Sequence, residues 1–219
     1  MQKLARIGLA VTALAVLLPV AAASAAHRAG AVRWYSSDSP FNQRIAARAA
    51  VDPSSAAMID RLVAGATGGF AIGAKQWTVP VWYAGSRTRR VTVNLTASWA
   101  PARKLVGVPI PAKAKPDPAG DHHMTVIDRS TGCEYDFWQA VHNPDGSWSA
   151  SWGNATLSTG TGVYNGGWAT TASGFANGLG KIRPEELAAG SIDHALVFGF
   201  PYTKEGGPVQ PATSSDGHS

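Results

Sequence analysis

The strongest constraint on this fold is the stretch from Asp121 to Ala140, where two alternating runs flank Ser130-Thr131-Gly132. Alternation with a period of two sends successive side chains to opposite faces of a strand, so the stretch reads as a β-hairpin. On the first run His123, Thr125 and Ile127 share one face, with His122, Met124, Val126 and Asp128 on the other. On the second run Glu134, Asp136 and Trp138 share a face, opposite Tyr135, Phe137 and Gln139. Met124, Val126, Tyr135 and Phe137 suit a core. His123, Thr125, Asp136 and Trp138 are therefore expected together on a polar, concave sheet face, with Asp121 and His122 at its mouth.

Further strands are expected at 76–83, 90–96, 105–110, 125–128, 135–141, 147–152 and 194–200, each short and bounded by Gly, Pro, Asn or Ser. Asn143-Pro144-Asp145-Gly146 is a turn signal, so a second hairpin sharing a strand with the first would make a three-stranded meander. A helix is expected where Asp52 caps, Pro53 takes the first position and Ile59, Leu62 and Val63 form an apolar stripe before Gly65. A second runs from Pro184 to Ala189 and stops at Gly190, its Glu185 and Glu186 suiting the positive end of the helix dipole. Many short strands with one or two peripheral helices imply an all-β fold, a single β-sandwich of jelly-roll type, with a small barrel as the alternative.

The chain begins with Lys3 and Arg6, an apolar run over 7–20 and the small-residue stretch 21–26, the pattern of a secretory signal cleaved near Ala25 or Ala26. The expected organisation is a signal peptide over 1–26, a β-sandwich domain over 27–205 and a polar tail over 206–219, and the mature chain is expected to be secreted and monomeric. No later segment is apolar enough to span a membrane. Cys133 is the single cysteine, so no internal disulfide is available and packing must hold the fold. The net charge of +5 falls to +3 once Lys3 and Arg6 are removed, too little for a nucleic-acid-binding surface. Eight tryptophans are many for roughly 190 residues, and half-exposed indoles make platforms for sugar rings.

Chemistry points first to His123 with Asp136, because an imidazole titrates near neutrality and a neighbouring carboxylate can orient it. His194, at the start of a late strand, and Tyr164, in the Gly-rich stretch 153–180, are candidates to complete a catalytic site. Trp138, Trp168, His122 and Asp121 are the candidates for substrate binding. Convergence of His123, His194 and Asp136 would create a divalent-metal site, but no HExxH or CxxC spacing accompanies them, so the cofactor stays undetermined. Ser173 lacks the frame of a nucleophile elbow, which argues against a serine hydrolase.

Glu134-Tyr135-Asp136-Phe137-Trp138-Gln139 resembles the Glu-x-Asp-x-x-Glu strand of laminarinase-like glycoside hydrolases, which have a concanavalin-like jelly roll. The resemblance implies Glu134 as nucleophile and Asp136 as helper carboxylate, while Gln139 stands where the acid/base glutamate would be. In class and composition the chain also resembles secreted bacterial jelly-roll proteins of the alginate-lyase-like group. That likeness implies His123, Tyr164 and an arginine as the working residues. The expected function is a secreted carbohydrate-active enzyme, hydrolase or lyase, acting on a polysaccharide or cell-wall glycan. The alternatives are a non-catalytic carbohydrate-binding module and a structural protein of the cell envelope.

Overall fold

The computed structural model describes residues 34–66, 68–165 and 169–218. The expected signal segment and Trp168 lie outside the described residues.

Among the described residues, eight strands form two four-stranded sheets that pack as a β-sandwich, with two short helices outside them. The strands are β1 (Val81–Ala84), β2 (Arg90–Leu95), β3 (Lys104–Pro109), β4 (Met124–Asp128), β5 (Cys133–Trp138), β6 (Val141–His142), β7 (Trp148–Ala150) and β8 (Trp152–Leu157). One sheet has the order β1-β4-β5-β8 and the other β3-β2-β7-β6, and neither closes into a barrel. The β1–β4 and β2–β7 pairings are parallel and the rest antiparallel. Inward-facing residues of both sheets make one core: Val93 and Leu95 of β2, Val108 of β3, Met124 and Val126 of β4, Phe137 of β5 and Trp148 of β7. Packing of this apolar surface is the main stabilising term in a domain without a disulfide.

The hairpin between β4 and β5 forms in the expected register, with Thr125 opposite Asp136 and Met124 opposite Phe137. The meander does not form. After Trp138 the chain turns at Gln139, whose φ of 55° is in the left-handed region, and Ala140 carries it into the other sheet. The Asn143–Gly146 turn then closes the β6–β7 hairpin there. The expected strand 147–152 likewise divides at Ser151, leaving β7 in one sheet and β8 paired with β5 in the other. Local alternation is blind to such a switch, because it reports which side chains share a face and not which sheet the strand enters.

Helix α1 (Ser55–Gly65) starts after the expected Asp52 cap, since Asp52 Oδ1 accepts the Ser54 amide at 2.7 Å in a turn that precedes the helix. It buries none of its residues, and its Arg61 lies over the Tyr202 ring. Helix α2 (Pro184–Ala189) matches expectation, with Gly190 in the left-handed cap and the Glu186 carboxylate accepting the Arg183 amide at its start. Residues 194–200 form no strand. They run as irregular chain held by Ala195 N–H to Phe41 O and Val197 N–H to Gly180 O. The polar tail is tied back as well, through Thr213 N–H to Ser173 O, Thr213 Oγ1 to Tyr164 O and Ser214 Oγ to Ala172 O.

Candidate functional site

Beyond the sandwich core, a second apolar cluster of Tyr35, Phe41, Phe175, Ala176 and Leu179 covers the polar face of the β4–β5 hairpin. Its effect is to bury that face. Glu134, Asp136 and Thr125 have no exposed surface. Tyr35 Oη donates to Glu134 Oε2 at 2.6 Å and the Gly178 amide to Oε1 at 3.0 Å. Thr125 Oγ1 donates to Asp136 Oδ1 at 2.6 Å and the Asn177 amide to Oδ2 at 3.0 Å. Position 178 has to be glycine, since a Cβ there would sit 2.6 Å from Tyr35 Oη and 2.7 Å from the Trp34 ring. Burial, followed by the neighbouring Glu134 charge, pushes the Asp136 carboxyl well above the ordinary range. Burial also raises Glu134, against the pull of the Tyr35 hydroxyl and the Gly178 amide. Both shifts run toward the protonated form, the direction expected of neighbouring carboxyls in a dry interior.

A cavity of about 570 Å³ adjoins this layer. Its walls include Trp77, Asp121, His123, Asn177 and Lys181, and parts of the segment 197–216 complete them. His123 is partly buried, and its Nδ1 lies 3.3 Å from Phe137 O. A carbonyl can only accept, so Nδ1 carries the hydrogen and Nε2 keeps the lone pair. Burial pushes the imidazole below its ordinary value, with Asp121 and the Phe137 carbonyl pulling the other way. Burial likewise lowers Lys181, opposed by Asp136. The site thus holds an imidazole kept neutral, with a free ring nitrogen suited to taking a proton.

Asp121 connects the cavity to an indole surface, because its Oδ1 accepts Trp138 Nε1–H at 3.1 Å. Trp138 lies 6.1 Å from Trp99, which stacks on Trp152 at 5.0 Å and is 56% exposed. On the cavity wall itself Trp77 is 66% exposed. Among the described residues all four non-glycine residues in the left-handed region sit in this neighbourhood: Tyr35, Trp77, His122 and Gln139. His122 is held there by Nδ1 to Asp117 O at 2.8 Å and by the Ala140 amide on its own carbonyl. Backbone strain of this kind persists only where the surroundings over-determine it, and it collects at functional sites.

No family model, curated protein or solved structure matches this chain. Its function therefore rests on these residues.

Of the residues expected to act, His123 and Asp121 line the cavity, and Asp136 lies behind it with every oxygen already bonded. Tyr164 bonds Asn154 through its hydroxyl, and burial, then Asp136 and Glu134, pushes it well above its ordinary value. It belongs to the buried layer and does not line the cavity. His194 is engaged apart from His123: Nε2 lies 2.9 Å from Glu186 Oε1, which also takes the Arg183 guanidinium. Among the described residues no three His, Cys, Asp or Glu side chains are grouped to hold a metal ion. Lys181, Asn177, Trp77 and Trp99 were not legible as site residues. Asn177 and Lys181 lie in a loop without periodicity, and only the run of small residues around Gly178 and Gly180 hints that it packs tightly.

Proposed function

We propose that this chain is an exported carbohydrate-active enzyme in which His123 moves the proton. The observation that supports it is the free Nε2 of a neutral, partly buried His123 in a cavity flanked by exposed indoles, Trp77 on its wall and Trp99 beyond Asp121 and Trp138. Flat, half-exposed rings stack on the apolar faces of sugars, and a neutral imidazole is the usual side chain for proton transfer near neutral pH. Glycoside hydrolysis by two carboxylates fits less well. Both members of the candidate pair, Glu134 and Asp136, are fully buried, and each of their oxygens accepts a protein donor, so neither offers a free oxygen to a sugar carbon.

The test is incubation of the purified chain, wild type and His123→Ala, with neutral and uronic polysaccharides, reading new reducing ends and the ultraviolet absorbance of unsaturated products. Product from the wild type and none from His123→Ala is expected. Equal product from both would remove His123 from the mechanism, and retention on a glycan with no product from either would make the cavity a binding site.

A further inference from the structure

Lys181 stands apart from the other described lysines. Lys75, Lys104, Lys113, Lys115 and Lys204 are exposed, whereas Lys181 is half-buried on the cavity wall. Its backbone is fixed by a close-packed neighbour: Gly180 O takes the Val197 amide, and a Cβ on Gly180 would lie 2.8 Å from both Val197 and the Phe41 ring. Among the described residues Lys181 has no ion pair and no hydrogen bond. The titratable groups around it are His123 just before β4, Asp136 on β5, and Asp117, Asp121, Asp216 and Lys204 on the cavity wall. Asp136 and Asp117 have their oxygens bonded elsewhere, and Asp121 takes the Trp138 indole. Burial outweighs the pull of Asp136 and lowers the ammonium, which favours the neutral amine, the nucleophilic form of a lysine. The Lys181 charge in turn lowers the His123 imidazole, so the two groups sense each other across the cavity.

We propose that Lys181 is the nucleophilic amine of the cavity and takes a small, neutral aldehyde there as an imine, with His123 carrying the proton. The Nζ lone pair adds to the carbonyl carbon, and a proton passes from nitrogen to the carbonyl oxygen to give a carbinolamine. Loss of the second nitrogen proton and of the hydroxyl as water then forms the C=N bond, so no oxidant, reductant or further reactant is consumed. The free Nε2 of His123 can accept a nitrogen proton and return it to the departing hydroxyl. A cavity of about 570 Å³ admits an aldehyde of sugar size. An anionic aldehyde fits less well, because Asp117, Asp121 and Asp216 line the cavity beside Lys181 and Lys204. This chemistry goes beyond the reading of the cavity as a saccharide site and does not rest on it.

The experiment is reductive trapping of the full chain with glyceraldehyde and cyanoborohydride at neutral pH, followed lysine by lysine by peptide mass spectrometry, in native buffer and in urea sufficient to unfold the chain. In the folded chain Lys181 should be labelled about tenfold or more faster than the exposed Lys104 and Lys113, and in urea the lead should vanish. The lead should also narrow as the solution is made alkaline and every lysine loses its proton. These readouts need no variant. In Lys181→Arg the fast-labelled species should disappear from the intact mass, and in His123→Ala the lead of Lys181 should shrink several-fold. Labelling of Lys181 no faster than that of the exposed lysines would overturn the proposal. A lead that survives in urea would overturn it as well, because the reactivity would then come from local sequence and not from the cavity. An undiminished lead in His123→Ala would overturn the role given to the imidazole.

Discussion

Thr125 Oγ1 donates to Asp136 Oδ1 at 2.6 Å directly across the β4–β5 register, between two side chains with no exposed surface. The contact decides how the interior pays for a buried acid. Asp136 and Glu134 both have raised values, so their contribution to stability is fully present below the ordinary carboxylate values and is lost as pH rises through the folded ones. Asp136→Asn removes Asp136 from that balance. Its deficit in urea unfolding relative to wild type is expected to be largest in acid and to shrink as pH rises. Thr125→Val, which keeps the shape and removes the donor, should cost about 1–3 kcal/mol. A deficit for Asp136→Asn that grows with pH would mean that Asp136 is ionised in the fold.

Under the proposed function, His123 should set the pH dependence of turnover. Its folded value lies below the ordinary imidazole value of 6.5, so the active, neutral form persists into mildly acid solution and the acid limb of kcat/KM should fall below pH 6.5. Loss of the imidazole in His123→Ala should reduce kcat/KM by about a hundred- to ten-thousandfold with little change in Tm, since the ring makes a single long hydrogen bond. An acid limb above pH 6.5 would point to a different titrating group.

The alternation of residues 121–140 gave the hairpin, its register and the meeting of Thr125 with Asp136, because period-two patterning is a local property of a strand. It did not reveal that the polar face is covered. Covering depends on Tyr35 reaching Glu134 across 99 positions and on Gly178 passing close beneath the Trp34 and Tyr35 rings, both long-range contacts with no local signal. The same reason explains the sheet switches at Gln139 and Ser151. At the site, His123 was legible as part of the polar strand face and Asp121 as lying at its mouth, whereas Asn177 and Lys181 reach the cavity wall from a loop with no periodic signal.

Exposed indoles should carry affinity without carrying chemistry. Trp77 and Trp99 are 66% and 56% exposed, so replacing either by Ala removes little core packing. Trp77→Ala and Trp99→Ala are each expected to weaken binding of a responsive oligosaccharide by about tenfold. Titration by intrinsic fluorescence checks this. The smallest oligomer that feels Trp99→Ala measures how far the sugar extends beyond Asp121. Unchanged affinity in both variants would show that the rings lie outside the path of the substrate.

Glu186 should show the pH dependence opposite to that of Asp136. It is buried, its Oε2 takes the Arg183 amide at 2.9 Å, and its Oε1 takes both the Arg183 guanidinium and His194 Nε2. Burial alone would raise its carboxyl, but the Arg183 donors outweigh burial and hold it below the ordinary range. Its contribution is therefore present above the ordinary value of 4.5 and is lost as pH falls through the folded value. Glu186→Gln keeps the volume and removes the charge, so it should cost about 1–3 kcal/mol near neutral pH, and the deficit should close as the solution is acidified. Because His194 leads directly into the segment that walls the cavity, the variant should also expose 195–216 to faster amide hydrogen exchange while β4 and β5 stay protected. Exchange unchanged in that segment would show that the contacts of Val197, Thr213 and Ser214 hold the wall without help from Glu186.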